Sequence, residues 1–169
     1  MTRTTTPYLL ATCLTAMLLS PLAYSHTDEV LDARASANGG QTRMAGAYHF
    51  ELVLVRDSAT AKSNPVLVYV TNHADEPLSS AGATGTVILL GTGTKAQIKL
   101  VADGDNRLRG SGVYASTEDL KAVTTITMPE QAGEQARFTP LAPRTPSPEA
   151  AHEHAHEHGH DHKHDHKHD

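Results

Sequence analysis

The sequence predicts an all-β domain, an antiparallel β-sandwich of about seven strands with an immunoglobulin-like arrangement. Three observations predict it. Short apolar runs, several alternating apolar and polar, fill residues 43–141. Clusters of Gly, Pro, Asn and Asp separate these runs. No long stretch carries helical periodicity. With no Trp and two Phe in 169 residues, the core is expected to be aliphatic, built from Val, Leu and Ile.

The expected strands follow in order. Residues 48–56 place Tyr48, Phe50, Leu52 and Leu54 on one face, and His49 and Glu51 on the other. Residues 66–72 (VLVYVTN) form a second strand, opened by Asn64-Pro65. Residues 84–90 (TGTVILL) form a third, closed by Gly91-Thr92-Gly93. Residues 95–101 (KAQIKLV) form a fourth, with Ala96, Ile98 and Leu100 on one face. Asp103-Gly104-Asp105-Asn106 marks a turn before a glycine-interrupted fifth strand over residues 107–114. Residues 121–128 and 134–139 form a sixth and seventh, stopped by Pro129 and Pro140.

The flanks differ from this middle. Residues 1–25 read as a cleavable secretory signal peptide. Arg3 supplies the positive start, residues 8–22 the apolar stretch, and Ala23-Tyr24-Ser25 the small residues before a cut at His26. A periplasmic location follows as an expectation. The sole cysteine, Cys13, lies inside this segment, with Thr12 before it, a poor residue for lipid attachment. The mature chain is therefore expected to hold no thiol, no disulfide and no thiolate metal site. Residues 26–42 are polar, end in Gly39-Gly40, and read as a flexible lead-in, in which residues 28–37 have the makings of a short helix. Residues 142–169 read as a Pro-rich linker followed by a disordered tail.

That tail, AHEHAHEHGHDHKHDHKHD, carries the chemistry. Histidine recurs at every second position: His152, His154, His156, His158, His160, His162, His164, His166 and His168. Neutral imidazole is a strong ligand for Zn, Ni, Co and Cu ions, and its pKa of about 6.5 leaves the lone pair free at neutral pH. The interleaved Glu and Asp residues add oxygen ligands and offset the ion's charge. The segment has no large apolar residue to repay the entropy of ordering, so several interchangeable sites are expected. A purification tag normally shows an uninterrupted histidine run, which this acidic alternation is not. The formal net charge of −5 argues against nucleic acid as a partner.

Lesser candidates lie elsewhere. His26, if it became the first mature residue, would offer an α-amino group and an imidazole to Cu(II). Hairpin pairing could bring His49 near His73, although two solvent-facing polar side chains are the plainer expectation. Met44 and Met128 are possible thioether ligands for Cu(I), more often packing residues. Asp103, Asp105 and Asn106 resemble the start of a calcium loop but lack its later ligands, so a turn is expected. No nucleophile elbow, zinc-protease helix or phosphate loop occurs, so no catalytic residue is assigned and the chain is not expected to be an enzyme.

Several segments together suggest a relationship. Gly39-Gly40, residues 48–53 (YHFELV), residues 68–73 (VYVTNH) and Ala136-Arg137-Phe138 resemble a small periplasmic β-domain associated with bacterial heavy-metal efflux. A similar pattern occurs in some adaptor subunits of tripartite cation pumps, where a histidine often precedes the glycine pair; Asn38 holds that place here. The resemblance implies metal homeostasis and a periplasmic location; beside the metal ions, a component of a metal efflux or uptake system is the expected partner. Together the features describe a periplasmic accessory protein that buffers or passes on Zn, Ni, Co or Cu, with no stable membrane insertion after signal cleavage. Two other classes remain: a protein-interaction module whose tail senses pH or metal, and a copper protein using an N-terminal His26.

Overall fold

The computed structural model describes residues 28–143. A short helix, α1 (Asp28–Ala33), precedes eight strands: β1 (Gln41–Ala45), β2 (Tyr48–Leu54), β3 (Lys62–Thr71), β4 (Thr84–Gly91), β5 (Thr94–Ala102), β6 (Arg107–Tyr114), β7 (Lys121–Thr127) and β8 (Gly133–Phe138). All eight belong to one antiparallel sheet, in the order β1-β2-β3-β6-β5-β4-β7-β8. Its two edges come together, and the Thr139 amide donates to Gln41 Oε1 at 2.8 Å across the seam. The all-β, antiparallel expectation therefore holds. The division into two facing sheets is not confirmed, since the strands form one barrel-like, nearly closed sheet. Strands β4, β5 and β6 follow as hairpins and β7 returns beside β4, a Greek-key connection.

Inward positions alternate with outward ones along the strands, a pattern that sandwiches and barrels share. Phe50, Leu52 and Leu54 of β2 face Val70, Val68 and Val66 of β3 in register. Val87 and Leu89 of β4, Ile98 and Leu100 of β5, and Ile126 and Phe138 fill the rest of the interior. Each such aliphatic side chain contributes roughly 1.5–3 kcal/mol on burial. Two glycines at inward positions of β6 allow the curl. A Cβ on Gly110 would stand 2.4 Å from the Lys99 carbonyl oxygen, and one on Gly112 would stand 2.3 Å from Ile98. Here β5 and β6 share only the Val101–Arg109 and Ala102–Leu108 pairs before Ile98 packs over the glycines.

One strand was not expected. β1 begins at Gln41, inside the segment read as a flexible lead-in, and its inward residues Gln41 and Arg43 are polar. They are satisfied individually, Gln41 across the seam and Arg43 by Asp32 at 2.7 and 2.8 Å. The preceding residues are also ordered against the sheet, where α1 buries Leu31. β3 begins earlier than Pro65 suggested, because Pro65 stands just outside the β2 ladder, which ends at the Leu54–Val66 pair.

Hydrogen bonds close both ends of the barrel. At one end Ser80 Oγ donates to the carbonyls of Gly104 and Arg107, tying the connection of residues 72–83 to the β5–β6 turn. At the other, buried Tyr114 donates its hydroxyl to the Pro65 carbonyl at 2.7 Å and accepts from the Val55 amide at 3.1 Å. Burial pushes the Tyr114 pKa up, and the Val55 bond offsets part of this. Asn64 Nδ2 donates to Ser58 Oγ and to the Tyr114 carbonyl, both at 2.9 Å. Beside this end, hydrogen bonds from Thr117 and Thr92 pull the Asp119 carboxyl down to about 2. Its link to the β4–β5 turn is therefore present above the ordinary carboxylate range and lost as pH falls towards 2.

Replacing Tyr114 with Phe keeps the ring but leaves the Pro65 carbonyl and Val55 amide without the hydroxyl. A loss of about 1–3 kcal/mol is expected in urea unfolding, with an unchanged slope. An unchanged midpoint would show that the hydroxyl does not hold this end together.

Candidate functional site

The nine tail histidines, His152 to His168, and the N-terminal candidate His26 lie outside the described residues. Within them, the histidines come together where β2 and β3 meet. His49 pairs with Thr71 in register on the outward face of the sheet. It was expected to face solvent, yet it is only 1% exposed. The ring of His73 stacks on it, with centroids 5.1 Å apart and planes inclined by 26°. The suggested approach of His49 and His73 is thus present.

Asp75 orients the pair. His49 Nδ1–H donates to Asp75 Oδ1 at 2.9 Å. Asp75 sits at φ 60°, a left-handed conformation that aspartate tolerates better than most residues. Its amide donates to the Asn72 carbonyl, while Asn72 Oδ1 accepts from the amides of Ala74 and Glu76. Arg34, just after α1, approaches Asp75 at 3.8 Å in a mostly exposed pair worth little by itself. His73 Nε2–H donates to the Gly46 carbonyl at 3.2 Å.

These groups do not converge as a ligand set. Stacked imidazoles aim their in-plane lone pairs along near-parallel planes, and Asp75 and the Gly46 carbonyl each engage a ring nitrogen. Among the described residues, no group of three or more His, Cys, Asp or Glu side chains is placed to hold a metal ion. Met44 stands opposite His49 in register on β1, and Met128 is buried in the core. Asp103 accepts from Arg107 Nη2 at 2.8 Å, so the Asp103–Asn106 segment is a turn, as expected.

Glu51, the next outward residue of β2, is buried for a different reason. Its Oε1 accepts from the amides of Asn38 and Gly40, and its Oε2 accepts from Asn38 Nδ2, each at 2.8 Å. Gly40 is held so close that a Cβ would stand 2.4 Å from the Leu52 carbonyl oxygen. The carboxylate thus fastens the segment before β1 onto the sheet. Beside it lies a cleft of about 190 Å³ lined by Leu31, Arg34, Ser36, Thr42, Glu51 and Asp75. The sequence carries no signal for Asp75 or for the Glu51 fastening, since both join residues from different segments through non-repeating backbone geometry.

Comparison with protein-family models, with curated proteins and with solved structures gives no significant match. The resemblance to an efflux-associated domain rests on its short motifs alone. Two residues of those motifs, Gly40 and Glu51, have a packing role here.

A Glu51→Gln chain keeps one acceptor oxygen but sets its amide nitrogen against Asn38 Nδ2. Faster amide exchange is expected over residues 34–40, with the β3 and β4 amides unchanged and global stability lower by about 1–2 kcal/mol. Unchanged exchange over that segment would remove the fastening role.

Proposed function

We propose that this chain is an exported metal-binding protein whose segment His152–His168 captures divalent Zn, Ni, Co or Cu ions, with the barrel as its compact carrier. The observation that supports it is a sequence one: nine imidazoles at alternate positions, interleaved with Glu and Asp. Groups of three or four imidazoles and carboxylates satisfy the coordination of one such ion, so the segment provides for roughly two or three ions. The apolar N-terminal stretch supports export to a periplasmic compartment, where a thiol-free mature chain needs no particular redox state. Buffering, or delivery to an efflux or uptake component, is the role this composition fits, since a tethered ligand raises the local ion concentration near a receiving site. The efflux-domain resemblance points the same way.

Calorimetric titration of the full chain, and of a chain ending at Pro143, with each of the four ions tests this reading. The full chain is expected to bind roughly two or three more ions than the shortened one, which keeps its thermal transition. Binding should weaken as pH falls through about 6.5, because protons compete for the same ring nitrogens. An unchanged number of bound ions after truncation would reject the reading and favour an interaction module.

A further inference from the structure

The outward face of β4, β5, β7 and β8 is cationic and has no carboxylate. Lys95 and Lys99 project from β5, Lys121 from β7 and Arg137 from β8, all exposed. None of the four forms a salt bridge with a described residue. The strand register sets them around a small apolar centre. Leu90 lies between Lys95 and Lys121, while Ile88 and Val123 lie in the row that ends at Arg137. Ile88 and Leu90 remain exposed at 38% and 44%. Arg109, opposite Val101, extends the positive face onto β6. Glu118 and Asp119 lie in the connection before β7, where Asp119 is engaged by Thr92, and Asp103, past the end of β5, is paired with Arg107.

One anionic segment follows β8 in the chain. Residues 149–169 carry six carboxylates against two lysines, a net charge of −4 with the histidines neutral. The chain leaves β8 at Phe138, paired with Ala122 next to Lys121. From there to Lys95 is three strand spacings, about 15 Å. From Phe138 to Glu149 the chain advances eleven residues, and the last six, from Pro143, span up to about 20 Å when extended, so the first carboxylates can reach the Lys121 side of the face.

We propose that the metal-free segment 149–169 docks on the cationic outer face of β4, β5, β7 and β8, and that metal uptake releases it. The release rests on the metal-binding reading above. Each divalent ion adds two positive charges, so about two ions cancel the attraction, and the histidines that chelate draw their neighbouring carboxylates off the lysines. Docking and chelation therefore oppose one another, and the face sets the apparent metal affinity.

The test compares amide spectra of the full-length mature chain with those of the chain ending at Pro143, at low ionic strength and pH 7.5. Shifts confined to the outward residues of β4, β5, β7 and β8 are expected, abolished by about 0.5 M NaCl and by Zn(II). A full chain carrying Lys95→Gln, Lys99→Gln, Lys121→Gln and Arg137→Gln should lose the shifts and bind Zn(II) about fivefold more tightly, a difference that high salt removes. Superimposable spectra would overturn the docking whatever the metal stoichiometry. Shifts that respond to salt but not to Zn(II) would keep the docking and overturn the release. Shifts that grow with protein concentration would assign the face to a second copy. Equal binding of full and shortened chains to phosphatidylglycerol vesicles, without intramolecular shifts, would assign it to an anionic surface. Either result overturns the proposal.

Discussion

The curl of a single antiparallel sheet around an aliphatic interior constrains everything else in this structure. With two Phe and no Trp, the interior must be filled by many Val, Leu and Ile side chains of similar size. An eight-stranded barrel has an interior that such side chains fill completely. The curl requires close approach at one corner, which Gly110 and Gly112 permit, and a seam where β1 meets β8 through Gln41 and Thr139. Closing the sheet in this way brings β1 beside β8, strands distant in sequence, while β8, the last described strand, lies next to β7 and three strand positions from β5.

The closed surface has two chemically different outer sides. Over β1 and β2 the segment of residues 28–40 is fastened by Glu51 and by the Asp32–Arg43 pair, which buries Glu51, while His73 stacks on the neighbouring buried His49. A buried carboxylate that accepts three hydrogen bonds is satisfied, and removing its partners would cost more than a surface contact. Over β4, β5, β7 and β8 nothing comparable covers the sheet among the described residues, and its charges are all positive. The first side is held by these contacts, and the second is exposed among the described residues.

Much of this was legible in the sequence. Alternation placed Tyr48, Phe50, Leu52 and Leu54 inward, and the fifth expected strand coincides with β6 at both ends. β1 was illegible because its inward residues are Gln41 and Arg43, whose burial depends on Asp32 and Thr139 from other segments. Barrel and sandwich were indistinguishable because both ask for the same inward-outward alternation, and only the pairing that joins all strands into one sheet, β3 with β6 and β6 with β5, and the β1–β8 seam separate them. The approach of His49 and His73 was foreseeable from hairpin logic, whereas Asp75 depended on a left-handed turn residue. The tail shows the opposite case: its chemistry is read directly from residue type and spacing, and folding adds little to the inference.

The proposed metal ligands are the imidazole nitrogens of the segment His152–His168. X-ray absorption at the zinc edge of the Zn-loaded full chain, near pH 7.5, examines those bonds themselves. A nitrogen-rich shell at about 2.0–2.1 Å with the outer-shell pattern of imidazole rings is expected. Loss of that pattern when the nine tail histidines are replaced by asparagine is predicted as well. A shell of oxygens without imidazole scattering, or a spectrum unaltered by those replacements, would contradict it.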